Sequence, residues 1–198
     1  MVTKAELLAY SITKFTQFGS KHVTLDELAN ELGISKKTIY TFFDNKEDLV
    51  TSSLESLLNE YKEDINGLIN SHKDPILCVI LIYQRGFEYL KYFKPSFLFG
   101  LEKYYPKANS LFNNFVKELS HSIVYKLLKQ AQEAGDIKED INVELLVKIY
   151  FFRIDNLVFK KNNLFESYGK AELFKHLVIY NLKGIITSNY SNSYFDLD

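Results

Sequence analysis

The stretch that decides the fold runs from Thr24 to Leu49 and reads TLDELANELGISKKTIYTFFDNKEDL. Thr24 and Glu27 have the spacing of a capping box, in which each side chain satisfies a free backbone N–H at a helix start. Gly33 ends that helix, because glycine accepts the positive φ that a tight turn needs. Ser35 then caps a second short helix. Two short helices joined by a glycine turn predict a helix-turn-helix motif.

The second helix of this motif is expected to run to Phe43 and to bury Ile39 and Phe43. Its exposed positions are all hydrogen-bond donors: Lys36, Lys37, Thr38 and Thr41. In a helix-turn-helix the N-terminal residues of the second helix enter the major groove, where donors suit phosphates and base edges. The spacing alone leaves the function open, because many helical proteins contain two helices joined by a glycine.

A longer pattern surrounds the motif. Thr24 opens the first helix, Gly33-Ile34-Ser35-Lys36 forms the turn, and then follows Ile39-Tyr40-x-x-Phe43-x-x-Lys46-Glu47-x-Leu49. With these residues in this order, the chain resembles the TetR/AcrR family of bacterial repressors over about residues 5–50, a quarter of its length. The rest of the chain fits the family by helix number and length alone.

The composition shifts near residue 50, where a small polar-surfaced unit gives way to an aromatic-rich helical body. The resemblance implies that residues 1–50 form a three-helix DNA-binding domain, with the helix-turn-helix at about residues 24–43. Residues 51–198 would form a helical bundle for effector binding and dimerisation. We therefore expect an all-α, dimeric fold of about nine helices. The implied function is a transcriptional repressor that a small-molecule ligand releases from a palindromic operator.

The resemblance also implies the residues that contact a double-stranded DNA operator: Thr24, Ser35, Lys36, Lys37, Thr38, Tyr40, Thr41 and Lys46. Thr24, Tyr40 and Lys46 would hold phosphates, and a lysine at position 36 or 37 could address guanine O6 and N7. Phe42 departs from the family, which usually carries Tyr or His there, so one phosphate contact is expected to be missing. Two alternatives stay open: Tyr40 as a half-buried packing residue, and the two lysines as an ordinary solvated surface.

Charge by itself does not predict DNA binding. The net charge is −1, and the first fifty residues contain six lysines and seven acidic residues. A nucleic-acid-binding protein is more often basic overall. Asp44 and Glu47 lie beside Lys46 and would repel a phosphate, so they are interpreted as helix caps. The DNA-binding hypothesis therefore rests on the pattern of residues.

The remaining sequence favours helices throughout, because apolar residues recur at helical spacing and few segments alternate as strands do. A fourth helix is expected to begin near Asp44, with a long fifth one after it, and residues 191–198 are expected to fray. The longest apolar run, Ile76 to Tyr83, is too short for a bilayer, which needs about 20 residues. The N-terminus lacks the apolar stretch of a signal peptide, so a cytoplasmic protein without membrane association is expected.

Two helices near the C-terminus, about residues 142–161 and 170–189, carry apolar residues on more than one side. A surface helix typically has one apolar stripe a little over 100° wide, so these two are expected to be buried on several sides. We predict that they form a homodimer interface with their symmetry mates, as the resemblance also implies. The alternative is that both helices are central in a monomer.

Residues 83–115 are rich in Phe and Tyr, and an apolar pocket with a few polar groups is what a small-molecule site needs. The resemblance implies an effector cavity there, for an unidentified small apolar or aromatic ligand. The candidate lining residues are Tyr83, Phe87, Phe97, Tyr104, Phe112, Phe115 and Phe152. Candidate polar anchors are Arg85, His121 and Arg153. The alternative is that these rings simply fill the core.

No motif of an enzyme stands out. The four histidines are scattered, the single cysteine Cys78 lies within an apolar run, and no phosphate-binding glycine loop or nucleophile motif is present. We therefore expect no catalytic residues, no metal and no cofactor. The competing class is a helical protein-interaction module that does not bind DNA.

Overall fold

The computed structural model describes residues 2–90, 93–154 and 164–196, and within these ranges it contains helices but no strand. The α-helices are α1 Lys4–Phe18, α2 Leu25–Glu31, α3 Lys36–Tyr40, α4 Lys46–Ser71, α5 Pro75–Leu90, α6 Pro95–Tyr104, α7 Pro106–Glu118, α8 Tyr125–Glu133, α9 Val143–Ile154, α10 Lys170–Phe174 and α11 Tyr180–Ile185. A π-helical segment, Leu119–Val124, joins α7 to α8, and another, Lys175–Ile179, joins α10 to α11. The predicted all-α fold is confirmed.

Both helices of the helix-turn-helix begin where the sequence predicts. Thr24 caps α2 in a complete capping box with Glu27, and Ser35 caps α3 by accepting from the backbone N–H of Thr38. Gly33 sits between them at φ +65°, a left-handed conformation that favours glycine. α3 ends at Tyr40 rather than at Phe43. The expected core residues of this helix, Ile39 and Phe43, are both buried.

The prediction of separate fourth and fifth helices after Asp44 is wrong, because α4 runs without a break from Lys46 to Ser71. This stretch contains no proline, and its one glycine, Gly67, is tolerated in a helix at a modest cost. A single buried stripe of Leu54, Leu58, Tyr61 and Ile65 continues along it at helical spacing. Apolar residues on this one face are therefore buried over successive turns of the helix, which continues without a break.

The chain divides into two compact units. Unit 1 comprises Met1–Lys62 and Tyr92–Phe115, and unit 2 comprises Glu63–Lys91 and Val116–Asp198. Unit 1 therefore joins the helix-turn-helix to α6 and most of α7, which follow α4 and α5 in the chain. In its core, Phe15, Leu28 and Ile39 are buried together with Phe97 of α6. Unit 2 is built on α5, which packs against α8 and α10.

The C-terminal segment is held in unit 2, so the expectation that residues 191–198 fray is wrong for its described part. The last helix ends at Ile185, not near Asn189, and Ile186 then pairs with Ile137. The Tyr190 hydroxyl donates to Asp74 Oδ2 at 2.6 Å, and Phe195 is buried. Burial of one aromatic ring and a bond to the residue that caps α5 order a tail whose composition alone looks polar. The predicted helix at about 142–161 is described only to Ile154.

Candidate DNA-binding interface

The exposed surface of α3 carries the side chains that the sequence assigns to DNA, and three of its hydroxyls are engaged within the helix. Ser35 Oγ accepts from the Thr38 N–H at 3.1 Å and lies 2.9 Å from Thr38 Oγ1. Thr41 Oγ1 donates to the Thr38 carbonyl at 2.6 Å. These bonds fix the hydroxyl rotamers, so the groups that remain available on α3 are its longer side chains.

Lys37 and Tyr40 are the available groups. Both side chains are exposed, and neither forms an ion pair or hydrogen bond with any residue in the described parts of the chain. Tyr40 is 49% exposed, while its neighbour Ile39 is buried. Burial of Ile39 holds α3 in place, and the Tyr40 hydroxyl and the Lys37 ammonium are both available as donors on its surface. An exposure of 49% is also what a half-buried packing residue would show, so both interpretations of Tyr40 stay open.

Lys36 is not free, because its ammonium forms an ion pair with Asp26 at 2.8 Å. The two residues start neighbouring helices, Lys36 as the first residue of α3 and Asp26 in the first turn of α2. The hydrogen bond to Asp26 raises the pKa of Lys36. Asp26 thus belongs to this surface, although the sequence analysis did not include it. Its position in the first turn of α2, the helix that precedes α3, was the available signal.

Thr24 is exposed, but its polar groups are already bonded to Glu27. The Thr24 backbone N–H donates to Glu27 Oε2 at 2.7 Å, and the Thr24 hydroxyl donates to the same oxygen at 3.0 Å. The backbone bond is the larger of the causes that lower the pKa of Glu27. A phosphate at Thr24 would have to displace this carboxylate. Its phosphate contact therefore stays a prediction that competes with helix capping.

Lys46 is half-buried at the start of α4, where its ammonium donates to the Lys21 carbonyl at 3.2 Å. Burial lowers the pKa of Lys46. The predicted caps of this helix are corrected: Asn45 Oδ1 accepts from the Asp48 N–H at 2.9 Å, whereas Glu47 accepts from the Lys107 N–H at 3.3 Å. Asn45 therefore caps α4, while the Glu47 side chain bonds to the backbone at the start of α7.

The turn at residues 19–23, which leads into α2, is braced by α6. A methyl group added at Gly100 would lie 2.6 Å from Ser20 Oγ, so α6 approaches the turn as closely as glycine allows. The Tyr105 hydroxyl donates to the Ser20 carbonyl at 3.2 Å, and Lys21 Nζ donates to the Tyr104 hydroxyl at 2.9 Å. This contact is the structural reason why α6 belongs to unit 1.

The candidate effector residues are divided between the two units. Phe97, Tyr104, Phe112 and Phe115 lie in unit 1, whereas Tyr83, Phe87 and Phe152 lie in unit 2. In unit 2, Phe87 meets Phe165 and Phe174 edge-on, with ring centroids 5.6 and 5.9 Å apart. Phe152 is 69% exposed on α9. Its place in an effector cavity stays a prediction.

The polar anchors proposed for the effector are bonded within unit 2. Arg85 binds Asp64 at 2.7 Å and Glu88 at 2.8 Å, and these two bonds raise its pKa. Arg153 donates to Asn181 at 2.9 Å. His121 Nδ1 lies 2.7 Å from Ser120 Oγ. Each anchor is therefore engaged with its own protein, although both arginines keep further N–H donors.

No group of three or more His, Cys, Asp or Glu side chains in the described ranges could hold a metal ion. No helix among the same residues has the length and apolar character needed to cross a bilayer.

Residues 7–52 match the family model described as bacterial regulatory proteins, tetR family. The chain is similar to the uncharacterized HTH-type transcriptional regulator YvaF of Bacillus subtilis (strain 168), with 25% identity over 166 residues, 82% of this chain and 85% of YvaF. It is also similar to IcaR of Staphylococcus epidermidis, the HTH-type negative transcriptional regulator of the biofilm operon icaADBC. Identity is 26% over 165 residues, 76% of this chain and 83% of IcaR.

A solved structure shares the fold. FadR from Bacillus subtilis in complex with stearoyl-CoA matches with a TM-score of 0.72 at 19% identity, covering 92% of this chain and 100% of the FadR chain. The two chains therefore share the helical arrangement over nearly their whole length, beyond the short segment that carried the sequence motif.

Proposed function

Because this chain belongs to the TetR family of bacterial transcriptional regulators, we propose that it is a homodimeric repressor that a small ligand releases from a palindromic operator. The observation that carries the proposal is the surface of α3. It sets Lys37 and Tyr40 free and exposed on a helix anchored by buried Ile39. The proposal places the protein in the cytoplasm, where its operator lies.

The α3 side chains would read the major groove, since the N-terminal residues of a recognition helix contact base edges there. Lys37 would donate to guanine O6 and N7. Tyr40 would donate its hydroxyl to a phosphate, and Lys46 would bind another while keeping its bond to the Lys21 carbonyl. A phosphate near Lys46 would also meet the free N–H groups at the start of α4. Phosphate contacts fix the position, and base contacts supply the specificity.

The dimer would form through α9 and the last helix, as the sequence predicts. The sequence did not show which faces of these helices would take part. Leu145, Ile149 and Phe152 are 53%, 43% and 69% exposed and share one face of α9. Tyr180 of α11 is exposed as well, with His176 packed edge-on against its ring at 5.0 Å. Exposed apolar faces of this kind mark interaction sites. A two-fold axis here would place two α3 helices on half-sites about 34–36 Å apart, or at a multiple of that spacing.

The effector would be a small apolar or aromatic molecule. Unit 2 offers the aromatic group around Phe87, where Phe165 and Phe174 meet its ring, as the place for such a ligand. The ligand must bind better to the conformation that does not hold DNA, since equal affinity for both states shifts nothing. A coupling of about 1–3 kcal/mol would weaken operator binding roughly 5–150-fold, and DNA would weaken ligand binding equally.

The test is fluorescence anisotropy with the full-length protein and labelled DNA from upstream of its own gene, at several salt concentrations. We expect sequence-specific binding that weakens with salt and is lost in the Lys36→Ala, Lys37→Ala double variant, whose folding is checked by circular dichroism. A correctly folded wild-type protein that binds no genomic fragment at low salt would overturn the proposal and favour a helical protein-interaction module.

A further inference from the structure

The ion pair between Lys36 and Asp26 stands at the start of the recognition helix. Lys36 Nζ and Asp26 Oδ2 are 2.8 Å apart, and their side chains are 43% and 65% exposed. Asp26 forms no other hydrogen bond with the residues that the structure describes. An exposed carboxylate is unfavourable beside DNA phosphates, because like charges repel. A base edge with a donor group is the part of DNA that a carboxylate can bind.

The pair presents a donor next to an acceptor, which complements the major-groove edge of a G·C base pair. Guanine offers two acceptors, N7 and O6, and cytosine offers the N4 amino group as a donor. A lysine only donates and an ionised carboxylate only accepts. Guanine O6 and cytosine N4 are themselves joined by an N–H···O bond of about 2.9 Å. This spacing matches the 2.8 Å between the ammonium and the carboxylate oxygen.

We propose that Lys36 and Asp26 together read one G·C base pair in each operator half-site. Lys36 donates to guanine O6 and N7, and Asp26 accepts from cytosine N4 while it keeps its bond to Lys36. Asp26 is then a specificity-determining residue of α2, outside the recognition helix. The assignment rests on the proposed DNA-binding function and deepens it.

An A·T pair fits the same two side chains less well. Adenine N6 could donate to the carboxylate, but the ammonium would then turn to thymine O4, a single acceptor flanked by the C5-methyl group. Guanine instead offers the lysine two acceptors on one ring edge. The preference for G·C over A·T at this position is expected to be about 5- to 150-fold in affinity.

The experiment selects sites for the wild-type protein from a random double-stranded DNA pool and then measures affinities for every single-base-pair change. We expect one G·C position per half-site whose replacement by A·T weakens binding by the factor given above. Asp26→Asn and Lys36→Met should each lose this preference at that position alone. The double variant should lose no more of this base-pair preference than either single variant, because the two side chains recognise the base pair together.

A matched control is available in the ion pair between Lys14 and Glu31, which has the same 2.8 Å length and lies on α1 and α2. Lys14→Met should leave every base preference unchanged. If Asp26→Asn strengthens binding to all sequences alike, Asp26 only repels phosphates and the assignment is overturned. Loss of preference at an A·T position, or unchanged preferences in both variants, overturns it too while the proposed function stands. A wild-type protein that selects no DNA overturns the proposed function itself.

Discussion

Each unit has a helix with one buried and one exposed side, and the two exposed sides differ in polarity. α3 in unit 1 buries Ile39 and exposes Lys37 and Tyr40, which carry polar groups. α9 in unit 2 buries Val147 and Tyr150 on one side and exposes Leu145, Ile149 and Phe152 on the other. In both cases a buried side holds the helix in place and leaves the other side for a partner.

The difference in polarity indicates which of the two surfaces is expected to stay covered by its partner. Polar side chains are well solvated, so the α3 surface is stable in water without DNA. An apolar side chain gains about 1.5–3 kcal/mol when it is fully buried, so the α9 surface favours a covered state. We therefore expect dimerisation to be constitutive and DNA binding to be conditional. Changes on α9 and α3, and at two positions beside the helix-turn-helix, test this division through dimerisation and DNA binding.

The largest effect is expected for Ile149→Glu on α9. The change places an unpaired charge in the proposed dimer interface, so the protein should become monomeric. Operator affinity should fall at least about 100-fold, because the two half-sites are no longer bound by one particle. Analytical ultracentrifugation and anisotropy measure the two effects. Lys148→Ala, beside it on α9, is the control and should leave the dimer intact.

Leu182 is an unsuitable alternative to Ile149, since it is fully buried within its own protomer and a charge there would disrupt the core of unit 2. An Ile149→Glu protein that stays dimeric at micromolar concentration would contradict the division between the two surfaces.

The next effect is expected for Lys37→Ala on α3. If Lys37 reads guanine, the variant should lose about 1–3 kcal/mol of preference at particular base pairs, with no change in dimerisation. Competition binding with a panel of single-base-pair operator variants measures it. Lys37→Arg keeps the donor and should retain most of the preference. Equal losses for all sequences would show instead that Lys37 contacts a phosphate.

A smaller effect is expected for Gly100→Ala on α6. The added methyl group meets Ser20 Oγ, so this hydroxyl, or the turn that carries it, must shift, and we expect a destabilisation of about 1–2 kcal/mol. DNA affinity should fall while the dimer persists. Adding Ser20→Ala should restore both stability and affinity, since Ser20 Oγ is buried without a hydrogen-bond partner among the described residues.

Gly67 of α4 provides the control for this change, because nothing lies within 4 Å of a methyl group added there. Gly67→Ala should stabilise the protein by about 0.5–1 kcal/mol. Thermal unfolding followed by circular dichroism measures both variants. Equal behaviour of the two glycine variants would show that α6 does not brace the turn.

The smallest effect is expected for Lys46→Met. A lost phosphate contact carries no sequence information, so affinity should weaken alike for all DNA sequences. The slope of log affinity against log salt should fall by about 0.9. Lys46→Arg keeps the charge and should keep the slope. An unchanged slope in Lys46→Met would mean that Lys46 only braces the turn through the Lys21 carbonyl.

The sequence predicted the N-terminal helices well because their ends depend on bonds between residues three or four positions apart. Thr24 with Glu27 is such a pair, and Ser35 with Thr38 is another. Helical periodicity likewise predicted α9, but it did not show which of its apolar sides would be covered. Phe152 was assigned to a cavity because an aromatic residue in an apolar helix looks the same whether it faces a core, a ligand or solvent.

The site was predicted only in part, for the same reason. The sequence motif pointed to Lys36, Lys37, Tyr40 and Lys46 as candidates for DNA contacts. It did not predict that Lys36 is paired with Asp26. Nor did it predict that Tyr104, expected in an effector cavity, would bind Lys21 beside the helix-turn-helix. These contacts join residues ten and eighty-three positions apart, for which no local pattern exists.

By itself the sequence determined the all-α character, the helix-turn-helix and the resemblance to the tetR family, since each depends on residue types at short, fixed spacings. Tertiary structure alone decided that α6 braces the turn before α2, that the tail is held by Asp74, and which faces of α3 and α9 stay exposed. The physical reason is that periodicity records how apolar a helix face is. Which partner covers that face depends on packing between segments that are distant in the chain.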